Sequence, residues 1–157
     1  MRKVFVVYDT KYGNTKRAAE SILEGIREVE GTEIDIGHVK EIDAEKLADS
    51  DAMVLGAPNH MGRPSRAMKK FVDRLAEFDL KAKNVAVFGT YAGRVSARDD
   101  RAVKKLEQMV KKKLPNLNLI SPSLSVRVIG MKGPLAEGEL LRCIDFGKRL
   151  ADHLKNE

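Results

Sequence analysis

The sequence contains a single cysteine, Cys143, among its 157 residues. One thiol cannot form an internal disulfide, and it offers none of the paired spacings at which structural zinc is bound. We therefore expect a chain without metal that is suited to a reducing compartment.

Long apolar runs are also missing from the sequence. No stretch approaches the roughly 18 residues that a membrane-spanning helix needs. The amino terminus passes directly into a strand-like segment at residues 4–7, with no cleavage region before it. We therefore expect a cytoplasmic protein with no membrane partner, and the length fits one domain over residues 1–157.

Aromatic residues are scarce, at 5% of the chain, and this low content helps to decide which kind of partner its positive charge would attract. The 29 Lys and Arg exceed the 23 Asp and Glu and give a net charge of +6, so an acidic partner is expected. However, the basic residues are spread along the sequence, and no aromatic side chains are interleaved with them as a platform for stacking bases. The sequence therefore favours an acidic partner protein over nucleic acid, and the alternative is that most of the basic residues are simply solvated on helix faces.

Short apolar runs alternate five times with segments of helical periodicity. This alternation predicts an α/β, doubly wound parallel sheet with helices on both faces. Residues 4–7, 52–55 and 85–88 are continuously apolar, as central strands covered on both faces should be. Residues 33–36 and 124–129 alternate between apolar and polar, so we expect them at the two edges.

Apolar residues at three- and four-residue spacing predict the helices between these strands. The residues that mark the five expected helices lie within residues 18–29, 44–48, 68–75, 102–109 and 140–154. Asp43 and Ser65 precede the second and third segments and are expected to cap them.

The loop after the first strand, at residues 8–15, leads directly into a helix. Thr10 and Thr15 provide hydroxyl groups, Gly13 allows a close backbone approach, and free amides at a helix start favour an anion. Asn14 adds a side-chain donor; the alternative is that Asn14 or Thr15 simply caps the helix. The loop has neither the nucleoside triphosphate motif nor the dinucleotide motif, so a mononucleotide phosphate fits it better.

Residues 10–15, which read T-x-x-G-N-T, resemble the phosphate loop of the flavodoxin family. Residues 56–62 and 89–93 resemble the second and third flavin loops of that family. The resemblance extends over essentially the whole chain and is strongest to the flavodoxin domain of A-type (diiron) flavoproteins, including the helix start at residues 140–143. Since this chain offers no replacement for the diiron ligands, the oxygen- or nitric-oxide-reducing chemistry of those proteins is not expected here.

The flavodoxin resemblance implies a five-stranded parallel sheet of order 2-1-3-4-5 that holds one FMN at the carboxyl edge of its strands. It also implies a role in shuttling electrons between redox partner proteins. The implied FMN-binding residues are, for the phosphate, Thr10, Lys11, Tyr12, Gly13, Asn14 and Thr15, and, for the flavin ring, Pro58, Asn59, His60, Met61, Gly62, Thr90, Tyr91, Ala92 and Gly93.

Individual roles within this set have alternatives. Tyr91 is expected to stack on the flavin, or else to be a half-buried residue at a strand end. Gly62 could allow a backbone flip that presents a carbonyl to flavin N5, or be an ordinary turn glycine. His60 could contact the flavin and titrate near neutral pH, or have no special role, whereas His38 and His153 are expected to be surface residues.

Three functional classes remain open at this stage. An electron carrier needs no side-chain catalyst, because the cofactor supplies the redox chemistry. An NAD(P)H-dependent quinone or flavin reductase of the same fold would need a nicotinamide site, and a flavodoxin-like binding module would have lost its flavin. A signalling receiver domain is disfavoured, because Gly56 follows the third strand where that class requires an aspartate.

Overall fold

The computed structural model describes residues 2–81, 83–93 and 98–156. Its strands are β1 (Arg2–Tyr8), β2 (Thr32–His38), β3 (Ala52–His60), β4 (Arg63–Pro64), β5 (Asn84–Ala92), β6 (Asn118–Leu119) and β7 (Leu124–Val128). Its α-helices are α1 (Asn14–Arg27), α2 (Arg66–Leu75), α3 (Arg101–Lys113) and α4 (Glu139–Lys155), and a 3₁₀-helix covers Ala44–Asp49.

The sheet confirms the predicted strand order 2-1-3-4-5. Its path runs β2-β1-β3-β5-β6, and β7 also pairs with β5, so β5 is the fourth predicted strand and β6 and β7 share the fifth position. All these pairings are parallel. The number of strands in the described residues is seven rather than the expected five. One addition is β4, which pairs antiparallel with the end of β3.

The other addition arises because the last position in the sheet is divided between β6 and β7. They pair with opposite ends of β5, at Asn84 and Val85 for β6 and from Phe88 onward for β7. Pro122 lies between β6 and β7, and a proline has no N–H to donate to the sheet, so one continuous edge strand is interrupted there.

Alternate residues of the central strands enter two separate apolar cores. Val4 and Val6 of β1 pack on the side of α1 and α4. Phe5 and Val7 pack on the side of α2, α3 and the 3₁₀-helix. Both faces of the sheet are therefore covered, which accounts for the continuous apolar runs in the sequence.

The predicted helix caps are present. The Asp43 carboxylate accepts from the Glu45 amide at 3.1 Å, and the Ser65 hydroxyl accepts from the Met68 amide at 3.3 Å. Helix α1 begins at Asn14, within the loop that was expected to lead directly into it, and its polar first turn precedes the apolar repeat that starts at Ala18. Within the described residues, no helix is long and apolar enough to cross a membrane.

Helices α1 and α4 approach each other closely through two glycines. A Cβ atom on Gly147 would lie 2.0 Å from the Ile22 carbonyl oxygen, and one on Gly25 would lie 2.0 Å from the Ile144 carbonyl oxygen. These contacts are with backbone atoms, which cannot move aside as a flexible side chain can. The two glycines therefore set the distance between the helices.

Replacing Gly147 by alanine is expected to destabilise the protein by about 1 to 3 kcal/mol, because the added methyl group forces two packed helices apart. Urea unfolding followed by circular dichroism measures this loss. Arg149→Ala is the control, since Arg149 is exposed on the same helix. Equal stability of the Gly147→Ala variant and the parent would contradict the close packing.

Cys143 is fully buried in the core between the sheet and α4. Burial is the main cause that raises the pKa of its thiol to about 12, and the nearby Glu139 carboxylate adds to the shift. Because the thiolate is the reactive form, we expect the native protein not to react with a disulfide reagent such as DTNB at pH 8. One thiol per chain should react after unfolding in guanidinium chloride, and rapid reaction of the native protein would contradict the burial.

Candidate functional site

The three loops that resemble flavin loops converge at the carboxyl ends of β1, β3 and β5. They enclose a cleft of about 570 Å³, part of it open to solvent, which we call the carboxyl-edge cleft. Its lining residues are Thr10, Lys11, Tyr12, Asn14, Thr15, Pro58, Asn59, His60, Thr90, Tyr91, Ala92, Val128 and Met131. Of the fifteen residues predicted from sequence, the structure thus brings eleven into one cleft.

The other four predicted residues do not line this cleft. Gly13 and Gly62 have left-handed backbone conformations, with φ of 92° and 84°, and shape the loops instead. Met61 projects away from the protein with 95% of its surface exposed, and Gly93 is exposed beyond β5.

The first loop leaves the start of α1 open to a ligand. Gly13 is the N-cap residue, and no side chain caps the helix, so the alternative in which Asn14 or Thr15 is the cap does not hold. The Thr10 hydroxyl accepts from the Gly13 amide at 2.9 Å and fixes the loop. The first turn of α1 contains no acidic residue. Its amides and the positive end of the helix dipole are therefore available to an anion.

The two residues that begin α1 each contact a residue of another segment. The hydroxyls of Thr15 and Thr90 are hydrogen-bonded at 2.8 Å, which ties the helix start to β5. If Thr90 donates in this pair, the Thr15 proton remains free for a ligand. The Asn14 side chain lies against Gly133, where a Cβ atom would come within 2.2 Å of Asn14 Oδ1.

One cationic side chain, Lys11, and one aromatic side chain, Tyr12, lie at the exposed side of the first loop. Lys11 Nζ lies 5.4 Å from the centre of the Tyr12 ring, within the range of a cation–π contact. Tyr12 is 42% exposed, so it presents an apolar surface at the opening of the carboxyl-edge cleft.

The second loop is a tight hairpin between β3 and β4. His60 pairs with Arg63, and the two residues between them, Met61 and Gly62, both have positive φ. This is the geometry of a type I′ turn, which favours glycine at its second position. The Asn59 side-chain oxygen accepts from the Gly62 amide at 2.6 Å and fixes the turn.

An ion pair from the start of α3 packs beside this hairpin. A Cβ atom on Gly62 would lie 3.0 Å from the Arg101 guanidinium carbon, and that guanidinium bonds Asp99 at 2.9 Å. The hydrogen bond to Arg101 holds the pKa of Asp99 at about 2, with a smaller contribution from the Asn59 amide. Since this pKa is below the unfolded value of 3.8, the stabilising effect of the pair is complete above that value and disappears as pH falls through 2.

Tyr91 of the third loop lines the cleft, but most of its side chain is covered. Only 8% of its surface is exposed. Burial raises the pKa of its phenol, and the Glu139 carboxylate is the next cause. Tyr91 is therefore a neutral ring in the wall of the cleft, and its stacking on a flavin stays a prediction.

The three histidines differ in their surroundings. His60 is exposed and lines the cleft, and His153 is exposed on α4, as expected. His38, expected at the surface, is instead half-buried. Its Nε2 lies 3.3 Å from the Asp9 carboxylate, its Nδ1 accepts from the Lys40 amide at 3.1 Å, and its ring packs edge-on against Tyr8. The ends of β1 and β2 lie side by side, which the sequence spacing could not show.

Sequence reasoning missed a fourth wall of the carboxyl-edge cleft. Val128 ends β7, and Met131 follows it in the segment at 130–138, which joins β7 to α4. Glu139 anchors this segment because its carboxylate accepts from the Arg127 amide at 2.6 Å and from Arg142 at 2.8 Å. The sequence position of this segment could have indicated its role, because it follows the carboxyl end of a parallel strand, where ligands bind in such sheets.

No cluster of three or more His, Cys, Asp or Glu side chains is placed to hold a metal ion within residues 2–81, 83–93 and 98–156. Arg94, which directly follows the third loop in the sequence, lies outside those described ranges.

Comparison with known proteins gives a family match over most of the chain. The model of the flavodoxin domain family matches residues 5–131. A flavodoxin of Aquifex aeolicus is 47% identical over 73 residues, which are 46% of this chain and 40% of that protein. A type A flavoprotein of Rhodobacter capsulatus is 27% identical over 157 residues, which are 98% of this chain and 33% of that protein.

A further relative belongs to an enzyme class. An NAD(P)H dehydrogenase (quinone) of Geotalea uraniireducens is 30% identical over 112 residues, covering 56% of this chain and 55% of that protein. The matches thus span about half, or less, of the length of these curated relatives.

Among solved structures, a flavodoxin from the domain Archaea superposes with a TM-score of 0.81 at 22% identity. The superposition covers 98% of this chain and 99% of that one. This likeness shows that the two chains share a fold.

Proposed function

Because the chain belongs to the flavodoxin family, we propose that it binds one FMN in the carboxyl-edge cleft and carries electrons between redox partner proteins. FMN is the cofactor of this family. The observation that carries the proposal is the uncapped start of α1, which opens into a cleft at the carboxyl edge of the sheet.

The residues present fit such a cofactor. A Cβ atom added at Gly13 would have no neighbouring atom within 4 Å, so the space beside this part of the first loop is open to a phosphate. At the other end of the site, Asn59 Nδ2 is buried, and its weak interaction with the Asp99 carboxylate leaves at least one of its two N–H groups without a hydrogen bond to a described residue. A flavin carbonyl or ring nitrogen would satisfy this N–H group.

In this proposal the flavin supplies the redox chemistry, and the chain binds and orients it. The amides at the start of α1, with Asn14 and Thr15, hold the phosphate. The ring lies between the β3–β4 hairpin and the end of β5, where Thr90, Tyr91 and Ala92 form the wall. The hydrogen bond from Gly62 to Asn59 fixes the hairpin, so any backbone flip at Gly62 has to break it.

The purified protein should therefore be yellow. Its absorption spectrum should show a bound flavin, and mass analysis of the chromophore released by heat should identify FMN and not FAD. A colourless protein that fails to bind added FMN would support the flavin-free binding module instead.

The quinone dehydrogenase relative makes a direct NAD(P)H-dependent reductase the second candidate function. Mixing the flavin-loaded protein with NADPH or NADH, with a quinone as acceptor, separates the two. A carrier should oxidise neither nucleotide at an appreciable rate, whereas steady turnover would establish the reductase.

We also propose that the redox partner is acidic and that the protein is located in the cytoplasm. The net charge of +6 supports the partner, and the single buried cysteine supports a reducing compartment. The proposal also treats residues 1–157 as one domain, which agrees with a sheet whose two faces are both covered by helices of this chain.

A further inference from the structure

The structure concentrates the excess of basic over acidic residues on two neighbouring helices, although basic residues are spread along the whole sequence. Helices α2 and α3 together carry ten Lys and Arg but only two acidic residues, Asp73 and Glu107. They lie side by side on the same side of the sheet. The rest of the chain has slightly fewer basic than acidic residues. The excess positive charge of the protein is therefore local to this face.

A cleft of about 760 Å³, part of it open to solvent, separates the two helices on this face, and we call it the α2–α3 cleft. It is lined by Arg63, Pro64, Lys69, Lys105, Gln108, Met109 and Lys112. All four charged residues in this lining are cations, and all four are exposed. Within the described part of the chain, the ion pairs of α2 and α3 involve other cations: Arg74, Arg101 and Lys113.

The floor of the cleft is less polar than its walls. Pro64 is buried and Met109 is half-buried, so an apolar side chain can be covered between the cations. No aromatic residue lines the cleft, and it thus lacks the stacking surface that single-stranded nucleic acid uses. Cationic walls around an apolar floor are complementary to an acidic, amphipathic protein segment.

We propose that the α2–α3 cleft docks an acidic amphipathic helix of a partner protein, with carboxylates against its Lys and Arg walls and an apolar side chain against Met109. Lys105 and Lys112 are seven residues apart on α3, or about 10 Å along the helix. Carboxylates seven residues apart on a partner helix have the same separation.

The β3–β4 hairpin lies between the α2–α3 cleft and the carboxyl-edge cleft. Arg63 lines one end of the α2–α3 cleft and pairs with His60, which lines the other cleft. A partner held by α2 and α3 would thus lie beside the flavin, so this inference rests on the proposed electron-transfer function for its physiological meaning. Binding of the segment itself can be measured whether or not flavin is bound.

The test uses a double charge reversal, Lys105→Glu with Lys112→Glu, in the full chain. The probe is a fluorescein-labelled helical peptide of about 15 residues, long enough to form an isolated helix. It carries glutamates three, four and seven residues apart and leucines on the same face, and a second peptide has glutamine in place of each glutamate. Fluorescence anisotropy gives the dissociation constants at low and high salt.

We expect the reversal to weaken binding of the acidic peptide at least about tenfold and the parent to bind the glutamine peptide poorly. The matched control, Arg27→Glu with Arg149→Glu, changes the net charge equally at exposed positions of α1 and α4 and should retain most of the affinity. Equal loss in both double variants would overturn the docking site and leave only a general charge effect. Tighter binding of a single-stranded oligouridylate, lost in the Lys105 and Lys112 variant alone, would also overturn it in favour of nucleic acid.

Flavin titration of the same variants separates this inference from the proposed function. The Lys105 and Lys112 variant should bind FMN as the parent does, because neither residue lines the carboxyl-edge cleft. Loss of peptide binding with FMN binding intact supports the docking site. Peptide binding unchanged by the reversal refutes it without affecting the flavin site.

Discussion

Replacing Asn14 and Thr15 together by alanine is expected to weaken FMN binding by about a hundredfold to ten-thousandfold. Each residue can donate to a charged phosphate, and a hydrogen bond to a charged group contributes on the order of 1.5 to 3 kcal/mol. Every 1.4 kcal/mol corresponds to about tenfold in the dissociation constant. The amides of α1 remain in the variant, so binding should be weak but measurable by flavin fluorescence quenching.

The structure shows how this experiment has to be controlled. Thr15 is buried and bonded to Thr90, so the variant also loses a contact between α1 and β5. Ser21→Ala is a matched control, because Ser21 is a buried hydroxyl on the same helix that bonds only the Arg17 carbonyl among described residues. If the double variant bound FMN as tightly as the parent, the phosphate would lie elsewhere; if Ser21→Ala lost as much affinity, the loss would reflect helix stability.

The central strands and the first loop could be predicted from sequence because their signals are local. Residues 4–7, 52–55 and 85–88 are apolar on both faces, and each is part of a strand covered by helices on both sides. The caps at Asp43 and Ser65 depend only on the next few residues of the chain. The order of the strands came from the resemblance to flavodoxins, since periodicity alone does not specify which strands are neighbours.

Features that depend on contacts between distant segments could not be predicted in the same way. His38 meets Asp9 only because β2 pairs with β1, and Met131 reaches the carboxyl-edge cleft only because β7 joins the sheet beside β5. The cationic face follows the same principle. Lys69 and Lys105 are far apart in sequence and line one cleft because α2 and α3 cover the same side of the sheet.

Replacing Arg63 and Arg66 by glutamate should lower the potential of the last reduction step of the bound flavin. If the fully reduced flavin is bound as an anion, nearby cations favour its formation and nearby carboxylates oppose it. Arg63 lies in the β3–β4 hairpin and Arg66 begins α2, and both are exposed. Because water screens exposed charges, the expected shift is on the order of tens of millivolts. A spectroelectrochemical titration measures it.

The same substitution should slow electron transfer to an acidic partner such as a ferredoxin-like protein and make the rate less sensitive to salt. The Lys105→Glu, Lys112→Glu variant separates the two effects, because it changes the docking charge on a helix that does not line the carboxyl-edge cleft. It should slow transfer while leaving the potential unchanged, whereas the Arg63 and Arg66 variant should change both. If the arginine variant kept both the potential and the rate of the parent, these two arginines would only solvate the start of α2.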